Sequence, residues 1–383
     1  MIRFITAGES HGPGLTAIIE GFPAGLPIDI EAINQDLARR QQGYGRGGRM
    51  KIEQDKVEIL SGVRFGQTLG GPITLSIRNK DWTNWQERMS VSGKPQGSPV
   101  TAARPGHADL TGVQKYERED IRDILERASA RETAARVAVG AIAKQFIASC
   151  GIEIVSHVTN IGGVKIDNHS VDYQSIKEKK ADSELSCLDP VAETGMKQAI
   201  HAAKERGDTL GGIFEIAVLN VIPGLGSHVQ WDRRLDTRLA AAMMSIQAIK
   251  GVEIGDGFAY ANLPGSQAHD EIFYNKETGY TRKTNHAGGV EGGMSNGEPL
   301  VIRAVMKPIP TLMTPLASVD IISREQVMAN TERSDVCAVS AAAVVGEAMT
   351  AIVIAEALVD KFGGDSLGDM LASVKYYRER IGR

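Results

Sequence analysis

Cysteine is scarce: Cys150, Cys187 and Cys337 are the only three in 383 residues. They lie far apart, are odd in number and include no CxxC pair. That excludes a disulfide framework or a thiolate zinc site as an organising feature and suits a reducing compartment. HxH and HExxH spacings are missing as well, so no protein-held metal is expected. An excess of positive charge is absent, since the formal net charge is −4; this argues against a general nucleic-acid or membrane-surface binder. No uninterrupted apolar run reaches the roughly 20 residues of a membrane span. The opening MIRFITAGES has no long apolar stretch of the kind a secretory leader needs. The expectation is a soluble cytoplasmic protein without nucleic-acid or membrane partners.

Glycine is abundant, at 42 residues, and 42% of the chain is hydrophobic. The second figure is enough for a large core; the first predicts many tight turns or close backbone approaches. Alternating segments bounded by glycine and proline read as strands: LTAIIEGFPAGLPI, KVEILSGV, GPITLSIRN, GIEIVSHVTNIGGV, GIFEIAVLNVIPG and PLVIRAVMKP. Four segments read as helices: DIEAINQDLARRQ with Asp29 as its cap, RASARETAARVAVGAIAKQFIASCG ending at Gly151, DRRLDTRLAAAMMSIQAIKG ending at Gly251, and SDVCAVSAAAVVGEAMTAIVIAEALVDKFGG stopping at Gly363. The last three are rich in alanine and poor in charge. They suit a middle layer buried on most faces.

Two repeats are visible. Gly62, Val63, Gly66, Gly70 and Pro72 match Gly289, Val290, Gly293, Gly297 and Pro299 at a single offset of 227 positions. TLGGPITLSIRN and TLGGIFEIAVLN also align. Either glycine turns before strands look alike, or the chain has two similar halves sharing one core. The polar DWTNWQERMSVSGKPQGSP, with two tryptophans, reads as an exposed loop or interface insertion.

Several segments could carry chemistry. TAGESHGPG sets His11 among Gly8, Ser10, Gly12 and Gly14. ARPGHAD puts His107 in turn chemistry beside Arg104 and Asp109. Histidine titrates nearest neutrality, so two in glycine-bearing turns are candidate proton donors; His157, His201 and His228 lack such company and read as structural or surface residues. ARRQQGYGRGGRMK formally contains GxGxxG at Gly43, Gly45 and Gly48, but a helix precedes it and a strand follows, the reverse of a dinucleotide site. Its Arg39, Arg40, Arg46, Arg49 and Lys51 form either a solvated basic loop or a clamp for a small polyanion. Arg127, Ser129 and Arg131 open the second helix, where serine caps or an anion binds. Lys307 and Thr311 lie in a rigid proline turn that could rim a flat ligand. Arg333, Ser334 and Asp335 precede the fourth helix, where Asp335 is either a cap or a base.

Taken together, GESHG, GYGRGGRMKIE, RPGHADLTG, RASARETAARVAVGA, SIQAIKGVEIGDGF, NHAGGVEGGMSNGEP, KPIPTL and RSDVCAV resemble the chorismate synthase family nearly end to end. The tryptophan-bearing insertion resembles the longer bacterial members, and no fused flavin-reductase segment is visible. The resemblance implies one domain over 1–383, of class α+β: a β-α-β sandwich with long Ala-rich helices between two antiparallel sheets and pseudo-symmetric halves, assembled as a homotetramer. It implies loss of phosphate and the C6 hydrogen from 5-enolpyruvylshikimate 3-phosphate by anti-1,4-elimination, giving chorismate. Reduced FMN is required without net redox change, lending an electron as phosphate leaves and recovering it afterwards. NADPH enters only through a separate flavin reductase.

By the same resemblance, His11 protonates the departing phosphate and His107 stabilises the reduced flavin. Asp335 accepts a proton from flavin N5, which first takes hydrogen from substrate. Substrate contacts are implied for Ser10, Arg46, Arg49, Arg104, Arg131, Ser129 and Arg333. FMN contacts are implied for Arg127, Ala128, Ser129, Gln247, Ala248, Gly292, Lys307, Pro308, Ile309, Pro310, Thr311 and Arg333. Arg40 and Arg46 match positions assigned to NADP in some members, although an arginine loop facing substrate serves equally well. The glycines around His11 are expected to let backbone and imidazole close over phosphate. Two rivals stand beside this reading. One is a flavin oxidoreductase with net electron transfer. The other is an RNA-binding module using the arginine loop, against which the absence of stacking aromatics among those arginines argues.

Overall fold

The computed structural model describes all residues except 48–53, 167–170, 181, 277–278, 333 and 383. Strands β1 (Arg3–Ala7) and β2 (Gly14–Glu20) precede helix α1 (Ile30–Gln41), followed by β3 (Val57–Ser61) and β4 (Ile73–Arg78). These strands form one antiparallel sheet in the order β1-β2-β4-β3. Alternation decides its faces: Ile73, Leu75 and Ile77 of β4 are buried and their neighbours are not, so one face turns to the core. Next come helices α2 (Asp109–Tyr116), α3 (Arg122–Ala128) and α4 (Thr133–Ala148), strands β5 (Glu153–Ile161) and β6 (Val164–Lys165), helix α5 (Pro190–Glu205) and strand β7 (Gly212–Leu219). Helix α6 (Leu235–Met244), strands β8 (Ile249–Ile254) and β9 (Leu300–Met306), and helices α7 (Val339–Phe362) and α8 (Leu367–Ile381) complete the main elements. The second antiparallel sheet runs β8-β9-β7-β5-β6. Strands β5 and β7 are buried almost throughout, because Ile176 and its neighbours cover the outer Val155, Ala217 and Leu219.

Helix α4 packs against β2 and β4 of the first sheet and β5 of the second, while α7 packs against α4, β5 and β7. The class is α+β, as expected. Helix α7 is long and apolar enough to cross a membrane, yet 89% of its most apolar window is buried in the protein, which makes it a core helix. The α4–α7 crossing depends on Gly140. A Cβ there would lie 2.2 Å from the Ala348 Cβ and 2.4 Å from its Cα, so the helices must separate to admit one. Gly140→Ala is therefore expected to lower stability by about 1–3 kcal/mol, the range for overpacking, read as a drop in Tm. An unchanged Tm would mean the crossing is looser than it looks.

Glu347 sits midway along α7 and is 1% exposed. It accepts bonds from Arg39 Nη1 and Nη2 (2.8 and 2.7 Å), Lys144 Nζ (2.5 Å) and Ser156 Oγ (2.5 Å). Lys180 Nζ lies 3.6 Å away. The network joins α1, α4 and β5 to α7.

Three expectations about secondary structure change. The second predicted helix is broken: α3 ends at Ala128, Ser129 is extended, a 3₁₀ turn spans Ala130–Glu132, and α4 starts at Thr133. Ser129 caps that turn, its Oγ accepting from Arg131 N. The third predicted helix stops at Met244; the chain reverses through Ala248, at φ +67°, and Gly251 lies at a bulge in β8 rather than at a helix cap. Asp335 caps nothing, because α7 begins at Val339 without a side-chain cap. Asp29 does cap α1, accepting from Glu31 N and Ala32 N.

The offset of 227 has structural content. Val63 pairs with Thr68 and Arg64 with Gln67, while Val290 pairs with Ser295 and Glu291 with Met294. Each hairpin leads into a strand at the same offset, β4 and β9. The second alignment does not hold: the strand after TLGG at 68–71 pairs with β2 and β3, whereas β7 pairs with β5 and β9. There, similar glycine turns precede strands at different places in their sheets.

Candidate active site

A cavity of about 810 Å³ opens where the β1–β2 loop, the end of α1, the turn before α2, the α3–α4 break, the chain leading into β8 and α7 and the chain leaving β9 converge. That lies in the upper range for small-molecule sites.

His11 forms one wall. Its Nδ1 lies 3.0 Å from both oxygens of Glu126, whose Oε2 also accepts from His11 N at 2.8 Å. Burial would raise the Glu126 carboxyl, but bonds from His11 and Arg122 outweigh it and hold the group below its ordinary value. An ionised carboxylate can only accept, so Nδ1 carries the hydrogen and Nε2 is the ring's other exchange site. The indole of Trp85 stacks on His11, centroids 3.9 Å apart and planes at 27°. Gly8 has φ +109°, and a Cβ on it would meet Gly14 O at 2.3 Å; glycine there permits the loop to cross itself between β1 and β2.

His107 forms a second wall. Its Nδ1 makes a short bond to Asp109 Oδ1, and Asp109 is fully buried. Arg104 grips the same carboxylate, Nε to Oδ2 at 2.8 Å and Nη2 to Oδ1 at 3.1 Å, and sends Nη1 to Thr311 Oγ1 at 3.0 Å. Against burial, these two partners hold Asp109 well below the usual carboxylate range. Arg104 lines the cavity, and these bonds also let it organise His107 and Thr311.

The third wall is cationic. Arg40 and Arg131 are 4% and 5% exposed, and the Arg46 side chain 9%. Arg131 gives Nη1 to Asp55 (2.6 Å) and Nε and Nη2 to Asn79 Oδ1 (3.0 and 2.8 Å). Asp335 accepts from Gly47 N at 2.6 Å and faces Arg46 Nε at 3.2 Å. Arg40 reaches Asp55 only at 4.0 Å, and its Nε has no partner among the described residues. Burial, with Arg131 and Arg46 nearby, pushes Arg40 down to about 10 despite Asp55. An anion in the cavity would relieve that charge.

The remaining wall joins Ala128, Ser129, Gln247, Ala248, Lys307, Ile309, Pro310 and Thr311. Gln247 gives Nε2 to Glu132 at 3.1 Å, while its buried Oε1 has no partner among the described residues. That oxygen suits a ring N–H of a flat cofactor such as a flavin, so the residues present fit the group. Lys307 is pinned through Nζ to Gly106 O. Ser10 also lines the cavity.

Three expected residues do not line it. The exposed Arg127 bonds Thr6 O and Gly8 O, Pro308 is exposed, and Gly292 sits at the tip of the 290–295 hairpin. Arg49 and Arg333 lie outside the described residues. Sequence reasoning missed Glu126, Trp85, Arg122, Asp55 and Asn79. Glu126 and Asp55 are 115 and 76 positions from the side chains they serve, and no local pattern marks such partners. The segment read as an exposed loop or interface insertion is exposed over most of its length, but a 3₁₀ turn at Lys80–Asn84 brings Trp85 to the cavity. Asp109 stood beside His107 in ARPGHAD, so that pairing was available from spacing.

The model of the chorismate synthase family matches residues 2–359. Chorismate synthase of Geobacter sulfurreducens is 58% identical over 390 aligned positions, covering 100% of this chain and 99% of that protein. The Aquifex aeolicus chorismate synthase is also 58% identical, covering 99% and 98%. A crystal structure of chorismate synthase superposes with a TM-score of 0.81 at 47% identity, over 100% of this chain and 98% of that one. With the match running through every wall of the cavity, the chain belongs to the chorismate synthase family.

Proposed function

We propose that the cavity is where this chain carries out its family's reaction, with His11 and Asp335 moving the protons. The chain is a lyase of the shikimate pathway, serving aromatic amino-acid biosynthesis, and converts 5-enolpyruvylshikimate 3-phosphate to chorismate. The observation that carries the assignment of the site is the buried arginine cluster, above all Arg40 with its unpartnered Nε. The substrate has two carboxylates and a phosphate, and three buried guanidiniums that share two carboxylates, Asp55 and Asp335, are relieved when further anions meet them.

His11, held through Nδ1 by Glu126, gives its Nε2 proton to the leaving phosphate. Arg40, Arg46 and Arg131 hold the anions, with Ser10 beside them; Arg49 and Arg333 join them by family resemblance. Ala128, Ser129, Gln247, Ala248, Lys307, Ile309, Pro310 and Thr311 would hold the flavin, with His107 beside it; Arg127, Pro308 and Gly292 join that set by resemblance. Reduced FMN, when bound, supplies an electron-rich ring able to lend and recover an electron. Asp335 is the carboxylate that receives the proton ending the elimination, steered by Arg46 and Gly47 N.

The wider reading is one domain over 1–383, in which the two sheets enclose α1, α4, α6 and α7 as a β-α-β sandwich. The paired hairpins at offset 227 support pseudo-symmetric halves. It also includes a cytoplasmic homotetramer supplied with reduced FMN by a separate, NADPH-using reductase; direct NADP binding at Arg40 and Arg46 is not part of it.

The decisive experiment is anaerobic incubation with substrate and chemically reduced FMN. Chorismate and phosphate should appear in equal amounts while the flavin stays reduced overall. Flavin oxidised once per turnover would favour the oxidoreductase rival. Asp335→Asn is expected to keep flavin binding and lose about a hundredfold or more in turnover, the scale of a lost general base. Full activity would remove Asp335 from the mechanism.

A further inference from the structure

The family resemblance gives the 81–99 insertion no role, yet its Trp85 makes the closest ring contact in the cavity. Glu126 holds one edge of the His11 imidazole, through Nδ1. An edge contact leaves the ring able to tilt about the Nδ1–carboxylate line. A flat surface against its face removes that freedom, and the Trp85 indole is such a surface, 3.9 Å away and 27° from parallel. The indole is itself fixed. Its Nε1–H donates to Asp81 Oδ2 at 3.2 Å, its backbone N bonds Trp82 O at 2.9 Å, and the Arg122 guanidinium lies 5.0 Å from the ring centroid. Arg122 in turn bonds Glu126 at 2.8 Å and Glu332 at 3.1 Å. His11, Trp85, Arg122 and Glu126 thus close a ring of contacts around the imidazole.

We propose that Trp85 is a positioning residue for His11, holding the imidazole plane so that Nε2 meets the departing phosphate. The proposal rests on the reading of His11 as the acid. It makes the insertion part of the reaction machinery rather than decoration, and it names the residue through which that segment acts.

Two measurements test it. The chain has three tryptophans, so Trp82→Phe with Trp231→Phe leaves Trp85 as the sole indole emitter. Imidazole in face contact quenches indole emission. In ligand-free protein of this background, His11→Gln should raise the emission; identical emission with and without His11 overturns the proposal. In steady-state assays on the flavin-loaded enzyme, Trp85→Ala should lower kcat about tenfold with KM changed less than about threefold, the scale of an aromatic contact. Trp85→Phe, which keeps a flat face, should recover kcat to within about threefold of the parent. A change confined to KM, or a Phe variant as slow as the Ala variant, overturns the proposal. Should His11→Gln itself keep full turnover, the acid assignment falls, and the emission measurement still reports separately on the stack.

Discussion

His11→Gln is expected to bind flavin and fold as the parent does, yet lose at least about a hundredfold in turnover, the range for a missing general acid. A fully ionised phosphate is a poor leaving group, and the amide of Gln cannot transfer a proton at neutral pH. The fold should tolerate the change because the loop is fixed by its backbone: Ser10 N bonds Glu126 O at 3.1 Å and His11 N bonds Glu126 Oε2 at 2.8 Å. Rapid mixing of enzyme, reduced FMN and substrate, following phosphate release, reads the effect directly. Release at the parental rate would assign the leaving-group proton elsewhere.

The largest stability effect is expected at Glu347. Glu347→Ala removes the anion shared by Arg39, Lys144 and Lys180 and leaves Asp36 to meet Arg39 and Lys144 alone, with the Lys180 charge beside them. Breaking a buried pair from one side costs about 3–5 kcal/mol, so the urea midpoint should fall sharply. A loss under about 1 kcal/mol would mean the cations reach water without moving the helices. The network also fixes a pH dependence. Burial pushes the Glu347 carboxyl up, but Lys144 and Arg39 outweigh it and hold the group well below its ordinary 4.5. A carboxyl depressed on folding contributes stability that is present above 4.5 and lost as pH falls through the folded value. The parent should therefore weaken as pH drops below 4.5, and Glu347→Ala should weaken less over that window.

Much of the fold was legible because its signals are local. Alternation marked β2, β4 and β9, Asp29 marked the start of α1, and Gly363 marked the end of α7. The failures have physical reasons. ERASARET has the alanine content of a helix, but Ser129 takes an extended conformation and splits it. AIKG has no turn signature, because Ala248 adopts a left-handed conformation usually left to glycine. Short β1 and polar α2, α5 and α8 were not singled out. The site was legible as residue types and not as a circuit. His11, His107, Asp335 and the arginines stood in recognisable motifs. Glu126, Trp85 and Asp55 are joined to them only by folding, and so left no pattern to read.

Arg39 and Arg40 are neighbours on α1 that serve opposite purposes: one is locked to Glu347 in the helical layer, the other borders the cavity with Nε unpartnered. A single peptide bond therefore ties the architecture of the interior to a wall of the cavity. Any displacement of that helix end, whether by a repacked interior or by a cosolvent, must reshape that wall well before the molecule comes apart.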